Sequence, residues 1–441
     1  MPNPKVVLSP DNVGAEMFEL MAELLPLCRS ITGDGLRRTL SLLTKHIPLD
    51  VHEVPTGTPV YDWTVPKEWN IQDAYVKNSK GERIIDFQRS NLHVVSYSTP
   101  VRKTLRLQEL RQHLFTLPDR PDWIPYRTSY YQETWGFCLS HKQFLELAED
   151  DYEVCIDASL EDGHLAYGEY YLPGETPDEV LLSCHVCHPS LCNDNLSGIA
   201  LVAFLAKYLS AHSRRYSYRF LFIPGTIGSI TWLCRNEAQV ANIKHGFVVA
   251  GVGDRGHFTY KKSRRGDAEI DRAFSHILQH SGNEYAIIDF FPYGYDERQF
   301  CSPAFNLPVG CVMRTPHGRY PEYHTSADNL EFVCPAALSD SFTKCLAVLH
   351  VLEQNQTYIN QNPKCEPRLG KRGLYRPVGG QAEAVIDELA LLWVLNLSDG
   401  NSSLLDIAER SGCSFGSISS AATRLLAHDL LKPAISHEPT L

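Results

Sequence analysis

The sequence lacks three features that would each indicate a class of protein. No apolar run approaches the roughly 20 residues that a membrane-spanning helix needs. The opening segment 1–11 is polar and rich in proline, unlike a secretory leader. The net charge is −11, whereas a broad nucleic-acid-binding surface requires an excess of positive charge. We therefore expect a cytoplasmic protein that spans no membrane and binds no nucleic acid.

The 13 cysteines are scattered rather than arranged as a disulfide framework, which favours free thiols in a reducing compartment. Cys184 and Cys187 have the C-x-x-C spacing common in zinc sites, and Cys192 follows closely. A structural zinc site needs a second matched pair, and the sequence contains none. A thiolate site, or a nucleophilic cysteine at Cys187 or Cys192, is therefore an alternative that no other feature supports.

The middle of the chain alternates predicted strands and helices from about residue 126 to 356. This order is typical of βαβ units, so it predicts an α/β fold with a mostly parallel sheet and helices on both faces. Strands near 152–158 and 164–172 are expected to form an antiparallel hairpin at one edge. We assign residues 12–50 and 126–360 to this domain, and 51–125 to a β-rich insertion.

The C-terminal part follows a segment rich in Pro, Gly and basic residues, 361–380, which we interpret as a linker. Residues 381–441 then have the pattern of a winged helix-turn-helix domain. They contain eight Asp or Glu and three Lys or Arg, too few cations for strong phosphate contact. We expect this domain to contact another protein or to form a homo-oligomer, rather than to bind DNA.

The most informative segment is CHVCHPSLCNDNLSG, 184–198, which follows a short buried strand. It places His185 at the strand end and Asp194 nine residues later. Two later strands end near Asp254 and His324. Open α/β sheets bind ligands at the carboxyl ends of their strands, and imidazole with carboxylate is a typical catalytic zinc set. Each residue could instead be a loop or capping residue, Asp194 especially, but together they favour a metal site.

The order of these motifs resembles the zinc-dependent aminopeptidases with two co-catalytic metals. The whole chain more closely resembles a bacterial family of uncharacterised aminopeptidase-like proteins. Its members carry an inserted lid-like domain and a C-terminal winged helix, and they are discussed beside polysaccharide-biosynthesis genes. The matching segments are LCRSITGDGLRRTL (27–40), DWTVPKEWNI (62–71), CHPSLCNDNLSG (187–198), PGTIGSI (224–230), YDERQFCSP (295–303), NLPVG (306–310) and EYHTSADNL (322–330).

The resemblance implies that His185 and His324 are terminal metal ligands and that Asp194 is the shared carboxylate. The chain departs from the two-metal pattern after the strand 218–223, where PGTIG replaces a pair of glutamates. Cys187 stands where an aspartate usually orients the first histidine, and Asp254 lies later than the usual third carboxylate. We therefore predict one zinc held by His185, Asp194 and His324, with two zinc ions as the alternative if Asp254 also binds.

The loop GYDERQFC, 294–301, is the best source of a general base, because it concentrates charged residues after a predicted strand. We assign Glu297 as the base, Asp296 as a contact for a substrate amine, and Arg298 as a substrate-binding residue. Arg298 could equally pair with either carboxylate and hold the loop together, and the spacing does not decide between Asp296 and Glu297 as the base. The alternative for the whole loop is a solvated charged turn. The basic cluster 261–265 could attract an acidic substrate, although we favour an exposed turn there as well.

The predicted function is a zinc-dependent hydrolase, an aminopeptidase or amidase, acting on a small peptide, amide or amino-sugar-like substrate. The alternative is a degenerate enzyme fold that binds a metal or ligand without hydrolysis and acts through its winged helix. The retained His185, Asp194 and His324 favour the first hypothesis. The missing glutamates after Pro224 favour the second.

Overall fold

The computed structural model describes residues 10–374 and 382–434, with side chains omitted for residues 10, 11 and 382–387. Most of the opening segment 1–11, the end of the predicted linker 361–380 and the last residues of 381–441 therefore lie outside the described residues. Two compact units are present: the described residues up to Ala268 with Glu284–Thr343, and Glu269–Asn283 with those from Lys344 onward. Over the described ranges, no helix is both long and apolar enough to cross a membrane.

The strands are named in chain order. They are β1 (Asp50–Pro55), β2 (Pro59–Val60), β3 (Trp63–Thr64), β4 (Glu68–Lys77), β5 (Arg83–Asp86), β6 (Val101–Arg106), β7 (Leu114–Phe115), β8 (Phe137–Cys138), β9 (Asp151–Glu161), β10 (His164–Leu172), β11 (Glu179–His185), β12 (Ser217–Ile223), β13 (Ile243–Val249), β14 (Phe258–Lys261), β15 (Tyr285–Ile288), β16 (Val309–Met313), β17 (Thr357–Asn360), β18 (Asp399–Ser403) and β19 (Leu431–Pro433).

The helices are named in the same way. They are α1 (Pro10–Leu24), α2 (Asp34–Leu43), α3 (Leu107–Leu110), α4 (His141–Leu145), α5 (Gly198–Ser210), α6 (Ile227–Arg235), α7 (Glu269–Gln279), α8 (Glu297–Phe300), α9 (Pro335–Gln354), α10 (Ala382–Leu397), α11 (Leu404–Ser411) and α12 (Phe415–Leu426). A kinked turn, Cys192–Ser197, precedes α5.

The first unit is built on an eight-stranded sheet with the order β1-β10-β12-β11-β13-β16-β14-β15. Its centre, β12-β11-β13-β16, is parallel, while β1 and β10 run antiparallel to their neighbours. At the other edge, β14 is antiparallel to β16 and parallel to β15. Every residue of β11 and β12 is buried, as expected for strands covered on both faces. The predicted α/β class with a mostly parallel central sheet is thus confirmed, and β11 delivers His185 to the carboxyl edge.

The predicted hairpin of the strands near 152–158 and 164–172 is wrong. β10 pairs with β1 on one side and β12 on the other, whereas β9 pairs with β4 and β6 in a separate four-stranded sheet, β5-β4-β9-β6. The turn sequence at 161–163 predicts a hairpin from local residues only. In the structure, both edges of β9 and of β10 pair with other strands, so the two cannot pair with each other. The second sheet therefore combines strands of the predicted insertion 51–125 with β9, beyond its predicted end.

The second unit contains the three-stranded sheet β18-β17-β19 and helices α10 to α12. Ser403 caps α11: its hydroxyl accepts from the Asp406 backbone N–H, and Asp406 accepts from the Ser403 N–H at 2.7 Å. Gly412 ends this helix with a φ of +70°, a conformation that glycine adopts without strain. The predicted winged helix is confirmed, and β17, which precedes the predicted linker, is part of its sheet.

Candidate metal centre

Asp194 lies in the kinked turn Cys192–Ser197, between the end of β11 and the start of α5, and its own backbone angles are not helical. The carboxylate of Asp328 holds this turn by accepting hydrogen bonds from the backbone N–H groups of Asn193 (2.6 Å) and Asp194 (3.0 Å). Asp328 is fully buried, and burial raises its pKa to about 8. Sequence reasoning quoted Asp328 within a motif but gave it no role, since nothing in the spacing showed that it would reach this turn.

The Asp194 carboxylate is the centre of a cluster of imidazoles. Its Oδ1 lies 2.9 Å from Nε2 of His185, and its Oδ2 lies 3.0 Å from Nε2 of His324. Asp194 is fully buried. Burial alone would raise its pKa, but the surrounding imidazoles, first His188, hold the pKa well below its ordinary value. The three predicted residues His185, Asp194 and His324 are therefore brought together.

His188 is a member of the cluster that sequence reasoning missed. Its Nε2 lies 3.8 Å from Asp194 Oδ2, and the ligand atoms of His185, His188 and Asp194 all lie within 4.8 Å of one another. Burial holds the pKa of His188 well below its ordinary value, which favours the neutral imidazole that a metal requires. His185 and His188 have an H-x-x-H spacing that is visible in the sequence. In that segment we considered only the cysteines as alternative metal ligands, so His188 was not identified.

These residues fit a zinc ion by the chemistry of their donor atoms. Imidazole nitrogens and one carboxylate are the usual ligands of catalytic zinc sites. The carboxylate is buried and already faces the nitrogens at hydrogen-bond distance. Its negative charge would otherwise be costly to bury, because a charge removed from water needs a compensating partner.

An amide and an aromatic ring orient His185. Asn195 Nδ2 lies 3.3 Å from His185 Nδ1 and donates to the carbonyl of Val249 at 3.0 Å. Tyr295 stacks on the imidazole with ring centroids 4.9 Å apart, and its hydroxyl lies 3.4 Å from Asp194 Oδ1. Cys187, which replaces the usual orienting aspartate, contacts His188 Nδ1 instead, at 3.3 Å.

His324 is held in an unusual backbone conformation by contacts with two tyrosines. Its φ is +56°, in the left-handed region that non-glycine residues seldom occupy. The Tyr126 N–H donates to the His324 carbonyl at 2.7 Å, and the Tyr126 ring meets the imidazole edge-on. Tyr323 stacks on the same imidazole with ring centroids 3.9 Å apart. Such strained residues persist where surrounding contacts fix them, commonly at functional sites.

Asp254 makes a different set of contacts. Its Oδ1 accepts from the Gly256 N–H and the Thr315 hydroxyl, both at 2.7 Å, and its Oδ2 accepts from the Asn193 amide at 2.9 Å. The carboxylate thus braces the turn that carries Asp194. Asp254 does not belong to the His185, His188 and Asp194 group that the described residues form, and its role as a ligand stays a prediction.

Asp296 and Glu297 are both buried, so the alternative of a solvated turn is wrong for these two residues. Glu297 Oε1 pairs with Lys261 Nζ at 2.8 Å, and both side chains are 0% exposed. The expected exposed turn at 261–265 is therefore also wrong at Lys261, which also donates to the Tyr293 carbonyl. The pair fixes the loop that carries Asp296.

One carboxylate oxygen of Asp296 is buried and makes no hydrogen bond with the described residues. Oδ1 of this carboxylate accepts from the Ser229 hydroxyl at 2.9 Å, while Oδ2 has no hydrogen-bond partner among the described residues. A Cβ placed on Gly225 would lie 3.2 Å from His185 Cβ and 3.5 Å from Asp296 Oδ2. The backbone at Gly225, after β12, therefore lies close to both side chains. Burial raises the Asp296 pKa to about 6. Asp296 thus places a buried carboxylate beside the loop that follows β12.

Arg298 lies at the edge of this group. It is half-buried, its guanidinium carbon is 6.0 Å from the Tyr293 ring centroid, and its Nε has no hydrogen-bond partner among the described residues. No contact with Asp194 is described for it. Its role as a substrate-binding residue stays a prediction.

The neighbouring thiols are poorly suited to ligation or nucleophilic attack. Cys184, Cys187 and Cys192 are all free and buried. Burial raises the pKa of Cys187 to about 12 and the pKa values of Cys184 and Cys192 above their ordinary range. Because the thiolate is the reactive form, these shifts weigh against the thiolate alternative.

Comparisons with known proteins agree with this architecture. Residues 18–355 match the model of a domain of unknown function (DUF4910), and residues 356–433 match a winged helix-turn-helix. A protein of Clostridium acetobutylicum, named as a proposed polysaccharide biosynthesis protein with an aminopeptidase-like domain, is 57% identical over 97% of this chain and 98% of its own length.

Similar solved structures include the following two. The crystal structure of a proposed peptidase from Clostridium acetobutylicum has a TM-score of 0.92 and 56% identity, covering 96% of this chain and 98% of that one. A zinc aminopeptidase from Bacillus subtilis has a TM-score of 0.57 at 11% identity, covering 80% of this chain and 96% of that one, which shows a shared fold. The chain belongs to the DUF4910 family, whose domain here has an aminopeptidase-like fold and is followed by a winged helix.

Proposed function

We propose that the protein is a zinc-dependent hydrolase of amide bonds, an aminopeptidase or amidase acting on a small peptide, amide or amino-sugar-like substrate. The observation that carries the proposal is the buried Asp194 carboxylate between His185 and His324, with the open Asp296 oxygen near His185. One zinc would be held by Asp194, His185 and His324, with His188 as a further imidazole. When bound, zinc supplies Lewis-acid polarisation of the scissile carbonyl.

The chain's own residues divide the remaining work. We assign Asp296, rather than the Glu297 favoured by the sequence, as general base, because Oδ2 of Asp296 is open whereas Glu297 is engaged by Lys261. Asp296 Oδ2 accepts a proton from the attacking water and returns it to the leaving amine. Tyr295 steadies Asp194, and burial keeps its phenol protonated by holding its pKa well above the ordinary value.

Metal removal tests the proposal. Dialysis against a chelator is expected to abolish hydrolysis of an aminoacyl amide, and zinc is expected to restore it, because the proposed mechanism relies on the metal to polarise the carbonyl. Turnover is measured by amine release, with metal content determined on the same samples. Zinc binding without turnover would instead support the degenerate-fold alternative, which the absence of paired carboxylates after Pro224 favours.

The pH dependence tests the assignment of Asp296. Since burial raises its pKa to about 6 and the base must be deprotonated, kcat/KM should be constant above that pH and fall about tenfold per unit below it. Zinc content measured at each pH separates this loss from metal release by protonated histidines. An acid limb that persists in Asp296→Asn with zinc retained would assign the titration to another group.

We also propose a protein-contact role for the winged-helix unit. Helix α12 would be the recognition helix of a DNA-binding protein, yet Arg424 is its only cation. The guanidinium of Arg424 donates to the Leu374 carbonyl at 3.3 Å, which engages it within its own unit. Phosphate contacts supply most non-specific DNA affinity, so a second protein or a second copy of this chain is the better partner.

A further inference from the structure

A cavity of about 470 Å³ lies beside His324. One wall comes from the inserted region and its end, residues 116–120 and 125–127, and the other comes from Pro321 and residues 323–325. Cavities of this size hold small molecules rather than folded proteins. His324 both lines the cavity and contacts Asp194, so the cavity borders the candidate metal centre at this residue.

The two walls are joined by backbone hydrogen bonds. Pro125 and Thr325 form an antiparallel bridge, and the Tyr126 N–H donates to the His324 carbonyl at 2.7 Å. The Ser326 N–H donates to the Ile124 carbonyl at 2.8 Å, and the Ile124 N–H donates to the Ser326 hydroxyl at 3.0 Å. These contacts fix the insertion wall at a set distance from His324.

The cavity wall carries two guanidinium groups whose charge is not neutralised locally. Arg127 lies over the Phe115 ring at 4.2 Å, and Arg120 lies over the Trp123 ring at 5.6 Å and donates to the Asp119 carbonyl. Neither pairs with a carboxylate among the described residues. Many other arginines of the chain do: Arg37, Arg83, Arg219, Arg272 and Arg314. Asp119 is the single acidic residue of the lining, so the wall has a net positive charge.

We infer that this cavity binds a free carboxylate of the substrate through Arg120 and Arg127. The inference rests on the proposed hydrolase function and narrows its substrate to short chains that end in a carboxylate, such as small peptides. The planar guanidinium presents donors that match a carboxylate, and stacking on Phe115 and Trp123 orders the two side chains before binding. The segment at the end of the insertion and just beyond it thereby selects the substrate, while the loops at the edge of the parallel sheet supply the proposed metal ligands.

The test compares Ala-Ala with Ala-Ala-amide, which differ in the terminal charge. Wild-type protein should prefer Ala-Ala by about tenfold in kcat/KM, the effect of a charged hydrogen-bonded contact. The double variant R120Q/R127Q should reduce this ratio to near one. Arg111→Gln is the matched control, because Arg111 is also exposed and lies over a phenylalanine ring, Phe144, but does not line the cavity.

Equilibrium binding of the two peptides, measured by calorimetry, separates this inference from the proposed function. If neither peptide is hydrolysed, but the wild type binds Ala-Ala more tightly than Ala-Ala-amide and R120Q/R127Q does not, the hydrolase function would be overturned and the carboxylate site supported. Hydrolysis without any preference, or a preference that R120Q/R127Q retains, would overturn the carboxylate site alone. If Arg111→Gln loses the preference for Ala-Ala to the same extent, the carboxylate site would also be overturned, because the preference would then reflect surface charge in general.

Discussion

Asp194→Asn is expected to lose zinc and to lose amide hydrolysis with it. Both oxygens of this buried carboxylate face imidazole nitrogens, at 2.9 and 3.0 Å, and an asparagine offers one oxygen and no charge. Altering groups that merely support metal ligands costs about 10- to 100-fold in metal affinity, so removal of the central ligand should cost at least that much. Mass spectrometry of the dialysed variant measures the zinc, and amine release measures turnover.

Asp150→Asn is the matched control for Asp194→Asn. Its carboxylate accepts hydrogen bonds from Ser79 at the surface, and its pKa is lowered chiefly by the backbone N–H of that residue. This variant should retain zinc and turnover. Circular dichroism of both variants checks that the fold persists. Wild-type zinc content in a folded Asp194→Asn protein would contradict the proposed centre.

Asp296→Asn should lower turnover and Glu297→Gln should lower stability, although the two residues are adjacent. Loss of the general base in Asp296→Asn should lower kcat by about 10²- to 10⁴-fold while zinc content stays unchanged. Glu297→Gln leaves the buried Lys261 ammonium without its counter-charge, which should cost about 3–5 kcal/mol in the free energy of unfolding. Turnover and urea unfolding, measured on both variants, distinguish the two effects.

A reversed pattern would restore the assignment that the sequence favoured. If Glu297→Gln lost turnover without losing stability and Asp296→Asn remained active, Glu297 would be the base. The double variant Lys261→Met/Glu297→Met provides a further check. Replacing both partners of a buried pair by apolar groups is often neutral, so this protein should fold and, with Asp296 in place, keep part of its turnover.

The sequence was sufficient to predict the sheet centre and the proximity of three candidate site residues, whose role as metal ligands stays a prediction. Strands such as β11 and β12 are continuously apolar because both faces are covered, and this signal is local. Side chains that follow the carboxyl ends of such strands meet at one edge of the sheet, and His185, Asp194 and His324 lie together there as expected.

The parts that were missed depend on contacts between segments far apart in the chain. The burial of Lys261 and its pairing with Glu297 join residues 36 positions apart, and a basic cluster gives no sign of this. Asp328 reaches the backbone of Asn193 across 135 positions. The choice between Asp296 and Glu297 likewise depended on which carboxylate was already engaged, a fact of packing that adjacent positions in a sequence cannot reveal.

Anomalous X-ray diffraction at the zinc absorption edge, on crystals of zinc-loaded protein, tests the central claim most directly. The account predicts one anomalous peak per chain, within coordination distance of Asp194 and of the imidazoles of His185 and His324. A second peak beside Asp254 would restore the two-metal alternative. No peak at Asp194, or a peak at Cys184, Cys187 and Cys192 instead, would contradict the account.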